Sequence, residues 1–182
     1  GTISGGAHGI ATTLFFSEDE NGDELPPQAL AADTVVVNSG TIVGEGGSGA
    51  GLDGGGSVTN SGTIQGYNNV NGGANANGIG VAITEFAGAI DPDATGIGSI
   101  LNDEDGTIEG QTFGIVLSGG GTIENDGLVR STGAFNPATG ITPIGIVMGA
   151  SEDQEGRIAT LDNNGVVVGF LGIVAGGQVG AT

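Results

Sequence analysis

The chain has 182 residues, 41 of them Gly and none of them Cys or Trp, and sets 21 acidic side chains against two basic ones for a net charge of −19. Two scattered cations, Arg130 and Arg157, cannot neutralise a phosphate backbone or hold an anionic membrane surface, so neither nucleic acid nor membrane is an expected partner. The absence of Cys removes disulfides and thiolate metal sites, and the length suits one domain spanning 1–182.

The chain opens inside a repeat, at Gly1-Thr2-Ile3, without an initiating Met or a signal peptide, and this predicts that sequence upstream has been left out. His8-Gly9-Ile10 follows as the first of several short strands built on Gly-Ile, with His8 expected at the surface or at a strand edge. Residues 17–33 then form an inserted loop that carries Asp19-Glu-Asn21-Gly-Asp23-Glu24. Three oxygen ligands on alternate residues open a calcium loop, which makes Asp19, Asn21 and Asp23 candidate metal ligands and calcium the candidate cofactor. Glu24 stands where such a loop needs Gly, and Leu30 where it needs a bidentate Glu, so a solvated acidic loop competes with that reading.

A seven-residue phrase begins at Val36-Val-Asn38-Ser-Gly40-Thr41-Ile42 and returns as Val58-Thr-Asn60-Ser-Gly62-Thr63-Ile64, Ile123-Glu-Asn125-Asp-Gly127-Leu128-Val129 and Leu161-Asp-Asn163-Asn-Gly165-Val166-Val167. A fifth copy, from Leu101 to Ile108, aligns with one extra residue before Gly106. The Gly positions 40, 62, 106, 127 and 165 lie 22, 44, 21 and 38 residues apart, a unit of about 21 residues that insertions sometimes enlarge. Self-similarity at this period marks a solenoid. Between the first two copies, Gly46-Gly-Ser-Gly-Ala-Gly-Leu-Asp53 is faintly similar to a calcium-binding nonapeptide, but as a single copy at the wrong offset.

Further Gly-Ile strands are expected at Gly78–Val81, Phe113–Leu117, Ile144–Val147 and Leu171–Val174, with a third strand, such as Gly121-Thr122-Ile123, leading into each Asn phrase. The fold class is therefore all-β, a parallel β-helix with three short strands per coil of about 21 residues. In it Asn38, Asn60, Asn125 and Asn163 stack as a turn ladder between coils about 4.8 Å apart. Loops about 66–77 and 131–143 leave one corner of the coil, and 17–33, 84–97 and 149–159 leave another. Acidic clusters at Asp91/Asp93, Asp103–Asp105 and Glu152–Glu155 decorate these loops or turns, Tyr67 is placed to stack on a sugar or a partner, and Phe113 and Phe170 are expected to fill the core. The longest apolar stretch, Val166–Ala175, is about half a membrane-spanning helix and reads as core strand.

Catalysis has little to work with. Lyase chemistry needs a cationic base or charge neutraliser, for which only Arg130, Arg157 and His8 offer themselves, and dispersed carboxylates make no hydrolase pair. No nucleophile elbow, phosphate loop or metal-binding His pair is present, and no enzymatic activity is expected.

The two ends fit each other. Val179-Gly180-Ala181-Thr182 read into Gly1-Thr2-Ile3 matches the length of the Asn60 phrase with Ala181 at the Asn position, which makes these residues the expected ends of head-to-tail assembly. The Asn-x-Gly-Thr-Ile phrases, the Gly-Ile strands and the acidic, Cys-free composition resemble the passenger domains of bacterial autotransporters and related secreted adhesins. The resemblance covers most of the chain. It implies export to the bacterial outer surface or the extracellular space, with adhesion, biofilm or protective-fibre roles. The function expected is an extracellular structural or adhesive solenoid, self-assembling into a filament or part of a longer surface fibre. The alternative is a β-helix that binds or degrades a host or matrix glycan through its corner loops.

Overall fold

The computed structural model describes residues 1–12, 34–67, 78–84, 97–135, 137, 140–150, 157–177 and 179–181. These residues form strands and turns with no helix, and so no helix long and apolar enough to cross a membrane. Six coils of three strands succeed one another. The first contains β1 (Thr2–Gly5), β2 (Ile10–Thr12) and β3 (Val35–Asn38), and the second β4 (Thr41–Gly44), β5 (Ser48–Asp53) and β6 (Gly56–Asn60). The third contains β7 (Thr63–Gly66), β8 (Ile79–Thr84) and β9 (Gly98–Asn102), and the fourth β10 (Thr107–Gly110), β11 (Phe113–Leu117) and β12 (Gly121–Asn125). The fifth contains β13 (Leu128–Ser131), β14 (Ile144–Ala150) and β15 (Ala159–Asn163), and the last β16 (Val166–Val168), β17 (Leu171–Gly177) and β18 (Val179–Ala181).

Every strand pairs in parallel with its equivalents one coil away, giving three six-stranded sheets: sheet I from β1 to β16, sheet II from β2 to β17 and sheet III from β3 to β18. The chain is a parallel β-helix. Because the pairing is in register, each sequence position of the repeat becomes a column running along the rod. Sheet I sends Ile42, Ile64, Ile108 and Val129 inward, sheet II sends Val81, Ile115 and Ile146, and sheet III sends Val58, Ile100 and Ile123. The fully buried Ile and Leu side chains each contribute about 1.5 to 3 kcal/mol of hydrophobic stabilisation.

Coils without insertions turn tightly. The second and fourth coils pass from sheet II to sheet III through Gly54-Gly55-Gly56 and Gly120-Gly121, all at positive φ (+132° at Gly56, +120° at Gly121), a backbone region that L side chains rarely adopt. Elsewhere this corner is where 13–33, 85–96 and 151–156 join, and the other corner is where 68–77 joins, all outside the described residues.

Several expectations change in detail. The Gly46–Asp53 stretch, not among the expected Gly-Ile strands, supplies β5, with Ala50 and Leu52 in the core, and Gly-Ala-Gly-Leu serves where other coils use Gly-Ile. Phe113 and Phe170 do not fill the core. Phe113 begins β11 in the column of Ile79 and Ile144, while Phe170 sits 64% exposed in a turn and stacks on Phe135 at a centroid distance of 5.2 Å. Ile115 and Leu117 take the interior positions instead. His8 is exposed and accepts a hydrogen bond at Nδ1 from the Ser48 N–H at 3.1 Å.

Candidate functional site

Two columns distinguish this rod, and both lead to its ends. The first is the asparagine ladder at the close of sheet III, where Asn38, Asn60, Asn102, Asn125 and Asn163 share one register. Nδ2 of each Asn donates to Oδ1 of the next at 2.7–2.8 Å along the whole series. The same amides also donate to the carbonyl of the Gly that follows in their own turn, as Asn38 does to Gly40 O at 3.2 Å. The Gly40 and Gly62 N–H groups donate back to Oδ1 of Asn38 and Asn60. A buried amide is tolerable only when its donors and acceptors are filled, and stacking identical amides fills them.

Asn102 belongs to this ladder although an alignment on Leu101 leaves it out. Register with Val58 and Ile123 makes Ile100 the inward residue, so the additional residues follow the Asn: three separate Asn102 from Gly106, where one separates Asn60 from Gly62. Asn102 still reaches the Gly106 carbonyl at 3.2 Å. The missed signal was Ile100-Leu-Asn102, which matches Val58-Thr-Asn60 once the longer turn is allowed.

The second column is glycine. Gly9 precedes β2, and Gly49, Gly80, Gly114, Gly145 and Gly172 lie in sheet II; the first five of these six each sit beneath the inward aliphatic of sheet I in the following coil. A Cβ on Gly9, Gly49, Gly80, Gly114 or Gly145 would come within 2.5–2.7 Å of a methyl of Ile42, Ile64, Ile108, Val129 or Val167 respectively. Each aliphatic is thus a knob seated in a notch that only Gly leaves open. Gly172 is the exception, with nothing within 4 Å of its Cβ position. Ile3, the knob of the first coil, is 50% exposed, and Ile173 in the last coil is 46% exposed, whereas their column mates Ile64 and Ile115 are fully buried.

The outer faces are otherwise sparse in chemistry. Glu109 is buried on the outside of sheet I and accepts from Arg130 Nε at 2.6 Å across a direct cross-strand pair. Tyr67 lies near them; burial first, and the Glu109 charge second, push its phenol above the usual range. A groove of about 370 Å³ crosses the start of sheet III, lined by Ser57, Ser99, Thr122, Val35 and Ile97 with no titratable side chain. The described aromatics, Tyr67, Phe113, Phe135 and Phe170, all fall between the sheet I and sheet II strands or at the start of the latter.

Asp19, Asn21 and Asp23 lie outside the described residues, as do Asp91, Asp93, Glu152, Asp153 and Glu155. Asp103, Glu104 and Asp105 form the turn before Gly106, and among the described residues no three His, Asp or Glu gather as a metal site. At the ends, Thr2 and Ile3 pair with Thr41 and Ile42, and Val179 and Ala181 with Ala159 and Leu161; Thr182 lies outside the described residues. That register corrects the expected join: Ala181 occupies the inward aliphatic position of Leu161, two residues before the Asn position rather than on it. Reading Thr182 directly into Gly1 would therefore run two residues short of a repeat. No protein-family model, curated protein or solved structure matches the chain.

Proposed function

We propose that this chain is an extracellular structural β-solenoid that extends by coil-on-coil stacking into a filament or a length of surface fibre, with adhesion as the role of its decorated sides. The observation that carries this reading is the in-register stacking of six coils, each offering the next the same columns of buried aliphatic and hydrogen-bonded Asn side chains. A solenoid whose cross-section repeats coil by coil gains length simply by adding coils, each contacting only its neighbours. Its acidity, lack of Cys and resemblance to secreted passenger repeats support placement outside the cell. The interior is filled by aliphatic side chains and the described grooves carry no acid–base groups, which leaves length, surface and ends as its working features.

Negative-stain electron microscopy with an intact mass of the assembled material tests this. Long uniform fibres built from 17.4 kDa units support it, and isolated rods at every concentration overturn it. A second reading, a glycan-binding edge, is favoured by the gathering of Tyr67, Phe135 and Phe170 along one corner, since aromatic faces stack on sugar rings. Loss of polysaccharide co-sedimentation in Phe135→Ala/Phe170→Ala would support that reading, and absence of co-sedimentation by the unaltered chain would remove it.

A further inference from the structure

We infer that the outer face of sheet II is an interface, and that its occupant is sheet II of a second copy of this chain laid alongside, rod against rod. The inference concerns the flank of the rod and is independent of growth along its axis.

The outward columns of the three sheets differ in kind. In the third, fourth and fifth coils sheet I turns Thr63/Gln65, Thr107/Glu109 and Leu128/Arg130 outward, and sheet III turns Ser99/Leu101, Thr122/Glu124 and Thr160/Asp162. Ten of these twelve side chains are polar. In the same coils sheet II turns out Ile79/Ala82, Phe113/Val116 and Ile144/Val147, all of them apolar.

The difference is written in the strands. A strand wetted on one side alternates apolar with polar, as Gly121-Thr-Ile-Glu-Asn125 does, whereas Phe113-Gly-Ile-Val-Leu117 and Ile144-Gly-Ile-Val-Met148 are apolar throughout. Continuous apolar composition in a parallel strand belongs to strands covered on both faces. On the inner side the cover is the core, where Ile115, Leu117, Ile146 and Met148 are buried. On the outer side Phe113, Val116, Ile144 and Val147 are only partly buried, although each stands in an inner coil with a strand on either side.

Charge and area name the occupant. β8, β11, β14 and β17 contain no Asp, Glu, Lys or Arg in a chain of net charge −19, so this face offers a charged partner nothing to pair with. A copy of the same sheet meets it with equal neutrality and leaves Glu124 and Asp162 of sheet III in water. Six strands about 4.8 Å apart and up to seven residues long cover roughly 500 Å², so two faces bury roughly 1,000 Å², the lower end of a specific interface. The pair is therefore expected to be reversible. The surfaces also fit: beyond the Val116–Val147 column lies an open hollow of about 290 Å³ edged by Ser118 and Gly149. A two-fold axis parallel to the rods lays Phe113 and Ile144 of each copy over the hollow of the other, with side chains interdigitating as between the sheets of a sandwich.

The test compares the full 182-residue chain with Val116→Asp/Val147→Asp, which charges the face, and with Thr122→Asp/Thr160→Asp, which adds the same charge to sheet III. Every substituted side chain points outward, so circular dichroism should match across the three. Sedimentation in about 0.3 M NaCl, where repulsion between copies is screened, should give pairs for the unaltered chain and the Thr variant and single units for the Val variant. Where rods also lengthen, electron micrographs should show fibres two rods wide for the first two and one rod wide for the Val variant, so failure to pair and failure to lengthen read out separately. Single units or single-rod fibres from the unaltered chain at every concentration, or pairing that survives in the Val variant, would overturn the inference. Single units that instead float with vesicles of neutral phosphatidylcholine would give the face to lipid and likewise overturn it. If the Val variant misfolds, Phe113→Trp decides: in a chain without Trp, its emission should move to shorter wavelength as concentration rises, and an unchanged spectrum would remove the contact.

Discussion

Asn102 shows how much one side chain can carry in a stacked fold. It accepts from Asn60 and donates to Asn125, both at 2.8 Å and both buried, so truncation orphans a donor below and an acceptor above. Asn102→Ala is expected to cost about 2 to 3 kcal/mol in urea unfolding, while Asn163→Ala, at an exposed ladder end, should cost under about 1. Ser131 presents the opposite case. Its hydroxyl is buried and makes no hydrogen bond, in a column otherwise filled by Gly44, Gly66 and Gly110. Ser131→Ala should therefore stabilise by about 1 kcal/mol, read as a raised melting temperature. Tyr67 sets a pH limit. Burial and Glu109 favour its neutral phenol in the fold, so the folded chain holds this proton more tightly than the unfolded one. Its contribution is complete below pH 10.0 and is lost as pH rises through the higher folded value. Unfolding free energy measured from pH 9 upward should fall more steeply for the unaltered chain than for Tyr67→Phe.

At the scale of strands, the glycine column makes sheet II and sheet I one packing unit. Gly80→Ala would push a methyl to 2.7 Å from Ile108 and 2.5 Å from the Gly114 carbonyl, and the backbone contact has no rotamer to relieve it. A loss of about 1 to 3 kcal/mol is expected, measured against Gly172→Ala, which should cost little because nothing stands near it. The strands themselves were readable because each coil writes the same letters in the same columns, and in-register stacking turns repetition into structure. Where the letters changed, the reading slipped. β5 spells its core as Ala50 and Leu52 instead of Val or Ile, so it was not among the expected Gly-Ile strands. Asn102 was hidden by Leu101, an outward residue that imitates the inward aliphatic, and the direction of a side chain is not written in its type. Phe170 misled for the same reason: an aromatic beside a strand need not share the strand's inner face.

For the whole molecule, charge decides how readily units meet. Copies of charge −19 repel over a Debye length of about 10 Å at 0.1 M salt. Growth followed by light scattering should thus rise several-fold between roughly 0.02 and 0.3 M NaCl. Calcium that outperforms NaCl at matched ionic strength would give Asp19, Asn21 and Asp23 a binding role, and equality would assign the acids to repulsion alone. The ends were partly readable from sequence, since Thr2-Ile3 repeats the internal phrases, but the join was set two residues off because alignment by letters ignored the strand register that pairs Ala181 with Leu161. The amides of the ladder have one more consequence. From Asn38 to Asn163 every Nδ2 points toward the higher-numbered coil and every Oδ1 toward the lower, so the rod has an arrow built into it. A fibre of such rods would have a fast tip and a slow tip, each lengthening at its own rate from a shared seed.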